Sequence, residues 1–221
     1  MNLTLSMVIV TFVAFISCEN NDQKDSPVAY TSILDVAPDG TTSILQEELK
    51  SVLYDEPVLE QTDEEILMHM LEEEKLARDV YAALYNKWGV PVFSKIANAE
   101  QKHLDAILWL AQNYSTLDVE AGEPRLFENP DFTALYEKLV AQGSESIIEA
   151  YKVGALIEEL DIYDLTSYVT QTANENILLV FENLMKGSRN HLRAFNIQLV
   201  ALGVVYKPQY LDQVTFDEIV S

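Results

Sequence analysis

Cysteine is nearly missing from this chain: one residue in 221, Cys18. A single thiol closes no internal disulfide and builds no thiolate metal cluster within one chain. Basic residues are scarce too, 14 against 36 acidic, which leaves a formal net charge of −22. Such a surface repels phosphate backbones and disfavours nucleic-acid binding. It is compatible with attracting cations, although a charge this diffuse is usually just a solvated face. Glycine and proline number only seven each, and most prolines fall between periodic segments. There is no Gly-x-Ser-x-Gly turn, which disfavours a nucleophilic hydrolase. What is present is 48% hydrophobic and 10% aromatic residues, the composition of a globular core with room for one good-sized domain plus extensions.

The apolar run from Leu3 to Ser17 is too short to span a membrane comfortably. It ends at Ser17-Cys18 and gives way at once to the polar stretch Glu19 to Asp25. This resembles a bacterial lipoprotein signal peptide, with the unusual feature that no Lys or Arg precedes the run. The resemblance implies a signal peptide over residues 1–18, lipidation at Cys18, and a lipid anchor to a membrane at the periplasmic or outer side of the cell envelope.

Residues 19–60 read as an acidic flexible tether without sustained periodicity, apart from a short helix near Ser43 to Tyr54. From Thr62 the pattern is helical almost throughout, with no convincing β-alternation. The first helix is expected from Thr62 or Asp63, either of which can cap it, to about Trp88. The turn Gly89-Val90-Pro91 leads directly into a second helix to about Tyr114, so the two must be antiparallel neighbours. Residues 115–143 form a long connection with one short helix around Asp131 to Ala141. A third helix is expected from about Ser144 to Thr170, a fourth from about Asn174 to Leu202, and residues 204–221 as an irregular tail. The fold class is all-α. Two antiparallel hairpins joined by a long crossover containing a short helix, over residues 61–203, is the connectivity of a ferritin-like four-helix bundle.

Walking each apolar seam in steps of three and four residues finds polar side chains near mid-length. The first helix gives Met70, Glu74, Ala77, Tyr81, Leu84, with Glu72 and Glu73 pointing away from that line. The second gives Ile96, Glu100, His103, Ile107, Leu110. The third gives Ile147, Tyr151, Ala155, Glu158, Ile162, Leu165, selecting Glu158 over Glu159. The fourth gives Ile177, Phe181, Leu184, Ser188, His191, Phe195. Only three histidines occur in the chain, and two stand where a helix should bury leucine. Buried polar groups are costly unless paired or bound to metal.

Iron and manganese accept carboxylate oxygen with imidazole nitrogen, and a Glu and a His three residues apart on a helix can share one ion. The ferritin-like di-metal plan takes a Glu from each of two helices and Glu-x-x-His from each of the other two. Glu74, Glu100, His103, Glu158 and His191 supply five of those six positions. Tyr81, two turns after Glu74, is placed to support the ligands. The sixth position is Ser188. Losing that carboxylate removes a ligand and a negative charge. Glu182, six residues earlier, lies about 240° away around the helix and cannot substitute, whereas Asp161, one turn after Glu158, is placed to lean in. An asymmetric two-metal site, a one-metal site and a metal-free relic all remain open.

The segments Glu72 to Tyr81, Ile157 to Ile162 and Gly187 to Phe195 resemble the signature blocks of the family called domain of unknown function 2202, over about residues 62–202. That resemblance implies a ferritin-like fold related to rubrerythrins and bacterioferritins, and no established activity. The functional expectation is a metal-binding protein holding one or two ions of iron, or of manganese or zinc, with oxidative or metal-handling chemistry. Whether it is an enzyme stays open. Any electron donor must be external, since no rubredoxin-like cysteine pair is present, and assembly into a homo-oligomer is open as well. The alternative is a non-enzymatic lipoprotein scaffold or binding module whose buried polar residues form a structural network.

Overall fold

The computed structural model describes residues 33–37, 42–44, 49, 59–114, 120 and 122–221. The expected signal peptide and Cys18 lie outside the described residues, as does most of the short helix expected near Ser43 to Tyr54. The described part is all-α apart from one small hairpin, and no helix in it is long and apolar enough to cross a membrane.

Helix α1 spans Gln61–Trp88. Its cap is Glu60, two positions before Thr62 and three before Asp63, the expected caps, and the Asp63 carboxylate accepts the Glu60 N–H at 3.2 Å. Gly89, with φ 66°, ends the helix in the left-handed region that glycine adopts without strain, and its N–H bonds the Tyr85 carbonyl at 2.7 Å. Pro91 then opens α2, Pro91–Gln112, where a missing N–H costs nothing. The crossover carries α3, Pro130–Gly143, capped by Asn129. Helix α4, Ile147–Tyr168, is capped by Ser146, and α5, Glu175–Ala201, by Asn174. All five helices lie close to their expected ranges.

The four long helices pack in neighbouring pairs: α1 on α2, α4 on α5, α2 on α5 and α1 on α4. Helix α3 lies against α1 and α4. Trp88 at the end of α1 donates its indole N–H to the Gly143 carbonyl at 2.8 Å, tying the two helix ends together. Tyr81, Phe93, Phe181 and Phe195 are among the largest fully buried side chains and fill the interior between the helices.

Two expectations fail. Strands β1, Leu34–Val36, and β2, Thr42–Ile44, pair antiparallel with Leu34 opposite Ile44, inside what reads as a tether. The hairpin rests on the helices, β1 on α5 and β2 on α2, and Ile33, Leu34 and Thr42 are buried there. Strands of three residues are too short to show alternation, so packing decides this segment rather than local pattern. The tail is likewise not irregular throughout. Helix α6, Gln213–Val220, is capped by Asp212, which accepts from the N–H groups of Val214 and Thr215, and it buries Phe216 and Ile219. Two buried apolar residues three apart, in a helix of eight, are too few to reveal a helical seam.

Candidate metal centre

Helix α1 supplies Glu74, α2 supplies Glu100 and His103, α4 supplies Glu158, and α5 supplies His191; each is at most 2% exposed. His103 stands one turn after Glu100, which puts its Nδ1 2.8 Å from Glu100 Oε2 and 3.4 Å from Glu74 Oε2. His191 Nδ1 lies 2.9 Å from the other Glu100 oxygen and 3.4 Å from Glu158 Oε2. Glu100 therefore stands between two half-sites, Glu74–Glu100–His103 and Glu100–Glu158–His191, in each of which the ligand-capable atoms lie within 4.8 Å of one another. The imidazoles stack with centroids 5.4 Å apart at 22°.

These contacts are short but not aligned as hydrogen bonds. Both Nδ1 atoms, Glu74 Oε1 and Glu100 Oε1 are buried without a hydrogen-bond partner. An unsatisfied buried polar group costs about 1–3 kcal/mol, so four in one place form a large local debt. Cations in the two half-sites would give both Nδ1 atoms and the Glu100 oxygen a partner. Three carboxylates and two imidazoles make a donor set that suits iron, manganese or zinc, and the residues present fit such an ion.

Both imidazoles turn their Nε2 atoms to one hydroxyl: Thr42 Oγ1 lies 3.3 Å from His103 Nε2 and 3.2 Å from His191 Nε2. A partner at the far ring nitrogen fixes the orientation of an imidazole and the face it offers inward. Gly187 allows the close approach of α5 to His103, since a Cβ there would meet the ring at 2.7 Å.

Burial raises Glu74 to about 7 against the pull of His103. Burial and the charge of Glu100 raise Glu158 to about 8. For Glu100 burial works the same way, but His191 and His103 outweigh it and hold the carboxyl well below the usual range. Burial would strip the imidazoles of their protons, yet Glu100 and Glu158 outweigh it at His191, which rises to about 10. Glu74 and Glu100 likewise raise His103 against burial. In the absence of a cation, protons neutralise the cluster.

The hydroxyl of Tyr81 lies 2.6 Å from Glu158 Oε1, and that contact orients the carboxyl. Ser188 donates to Asp161 Oδ2, while Asp161 Oδ1 is buried with no hydrogen-bond partner. Asp161 stands outside both three-residue groups, close enough that, after burial, the charge of Glu74 raises its carboxyl well above the usual value.

The family described as an uncharacterized protein domain, DUF2202, matches residues 63–221. The chain belongs to the DUF2202 family. It is 49% identical over 172 residues to the uncharacterized protein MJ0754 of Methanocaldococcus jannaschii, covering 77% of this chain and 92% of that protein. The crystal structure of the hypothetical protein MJ0754 from Methanococcus jannaschii DSM 2661 is similar with a TM-score of 0.72 at 47% identity, over 76% of this chain and 96% of that one.

In this DUF2202 chain the block from Glu72 onward is more completely buried than a single seam allows. Glu72 does point away from the cluster, but to accept the N–H groups of Glu128 and Asn129 at 3.0 Å each. Lys75 donates to the Leu126 carbonyl, and Asp79 accepts the Arg125 N–H at 2.6 Å. Helix α1 thus clamps the crossover along its length. Glu159, on the far side of α4, accepts from Tyr206 Oη and Gln209 N and holds the C-terminal segment. Glu72, Asp79 and Glu159 are polar residues buried by chain that returns from far away in sequence, a signal no helical period contains. Thr42 is 61 residues from His103, and nothing local marks it.

Proposed function

We propose that this DUF2202 chain is a metal-binding protein of ferritin-like type, its four long helices forming a bundle around a carboxylate and histidine centre. The observation that carries this reading is the convergence of unpartnered Nδ1 and carboxylate oxygen atoms on Glu100. Glu74, Glu100 and His103 would hold one ion, Glu100, Glu158 and His191 a second, with Glu100 shared between them. Iron is the first choice, with manganese or zinc as alternatives. Bound iron would supply one-electron redox chemistry and Lewis acidity, suited to ferrous oxidation, peroxide reduction or metal handling. The protein's own part is to exclude water, hold both imidazoles by Thr42, orient Glu158 through Tyr81, and give up protons as an ion enters. Ser188 at the sixth position makes the two halves unequal, and Asp161, which it holds, stands beside the two groups rather than in either. An external donor would supply electrons, and Cys18, if lipidated, would tether the domain to the cell envelope; the mass of the mature N-terminus tests that anchor.

The test is metal analysis of the purified chain after anaerobic ferrous loading. The reading expects one or two ions per chain in the wild type and loss of them in Glu100→Ala and His103→Ala. The charge neutralisation of Glu100 by two imidazoles also favours a second reading, a structural polar network in a scaffold protein. Wild-type protein that retains no metal after loading decides for that alternative.

A further inference from the structure

The third histidine, His69, has no place in the central cluster, yet it too faces carboxylates. His69 and Glu73 are four residues apart on α1 and so share a face. His69 Nε2 lies 3.7 Å from Glu73 Oε2 and 3.4 Å from Asp164 Oδ2 on α4. The ligand-capable atoms of the three residues fall within 4.8 Å of one another. The His69 ring is fixed edge-on against Phe132 at 5.2 Å and Tyr168 at 5.6 Å, an arrangement that leaves Nε2 directed at the two carboxylates.

Glu73 is the decisive residue. It is 1% exposed, and neither of its oxygens has a hydrogen-bond partner. The acidic groups Asp161, Asp164, Glu74 and Glu158 stand around it. A buried carboxylate among carboxylates with one imidazole for company is a poor structural device and a good cation ligand. Above it a pocket of about 230 Å³ opens between α1, α3 and α4, with Asn129 and Asp131 at its rim. A second pocket of about 460 Å³ on the other side of His69 is edged by Glu64, Glu65 and Glu128.

We propose that His69, Glu73 and Asp164 bind one divalent transition-metal ion at a second site, separate from the central cluster. On α4 the residues Glu158, Asp161 and Asp164 follow at steps of three, so Asp164 lies about 9 Å along the helix axis from Glu158. Six residues also turn the helix by about 240°, so Asp164 faces away from the central cluster; with His69 and Asp164 partly exposed, the outer site is where an ion arriving from solution is first held. That entry role rests on the central metal reading; the binding itself does not.

Zinc, which is redox-inert, is the probe, titrated calorimetrically into the full chain. His69→Ala, at a half-exposed position, and Asp164→Asn, nearly isosteric, spare the core. Each is expected to abolish one binding phase or to weaken it at least about 10-fold, and to do so equally in a Glu100→Ala background. Titrations of His69→Ala and Asp164→Asn that superimpose on the wild type overturn the outer site. If Glu100→Ala alone loses zinc, the outer site falls and the central one stands; if only the two outer variants lose it, the outer site stands and the central reading falls.

Discussion

At Glu100 two imidazoles share one carboxylate, with His103 Nδ1 at 2.8 Å and His191 Nδ1 at 2.9 Å. That arrangement makes the metal-free protein sensitive to pH. His191 rises from the ordinary 6.5 to about 10 on folding, so its contribution to stability is complete below about 6.5 and is lost as pH climbs through 10. Glu74 and Glu158, raised from 4.5 to about 7 and about 8, bind more protons folded than unfolded and push the same way between pH 4.5 and 8. Glu100, lowered, stabilises only above the ordinary carboxylate range and loses that effect on acidification. Thermal melts of chelator-treated protein should therefore show Tm falling from pH 6.5 to 10. An unchanged Tm over that window would contradict the charge assignment. Metal uptake must displace these protons, so affinity should rise with pH over the same range. Gly187→Ala is expected to destabilise the chain by about 1–3 kcal/mol through its clash with the His103 ring, measured by denaturant unfolding.

The helices carrying the cluster were legible element by element because their seams repeat over 22 to 28 residues. That length averages out single exceptions, which is why Glu74, Glu100, His103, Glu158 and His191 could be placed together from spacing alone. The same method put Glu72 and Glu73 off that seam, as they are, but gave no sign that both are buried, because it follows one buried face. Helix α1 has neighbours on several sides, α2, α3 and α4, so its outward carboxylates are buried by the crossover. The β1–β2 hairpin was illegible for a different reason: its stability comes from packing and from Thr42, not from its own sequence pattern. Thr42→Val keeps the shape of the side chain and removes the hydroxyl between the two Nε2 atoms. It should leave the helix content unchanged by circular dichroism while weakening metal binding about 10- to 100-fold. Equal affinity in Thr42→Val would mean the hairpin is only a cover. At the other end, Phe216→Ala removes the buried anchor of α6 and should cost up to about 3–5 kcal/mol, seen as a lowered denaturation midpoint.

On the scale of the whole molecule, the net charge of −22 and the buried cluster belong to one account. An acidic surface raises the local concentration of cations, the pockets around His69 are edged by carboxylates, and the interior ends in nitrogen and oxygen atoms without hydrogen-bond partners. The long crossover and the C-terminal segment are held by Glu72, Lys75, Asp79 and Glu159, so the family's polar blocks divide into residues that fasten the chain and residues that face the cluster. The central claim is that the cluster holds metal, and its most direct measurement is the iron content of the anaerobically loaded, desalted chain beside its Glu100→Ala variant. The account predicts one or two irons retained per wild-type chain and their loss when the shared carboxylate is removed. Retention that is the same with and without Glu100, or no retention in either protein, would contradict it.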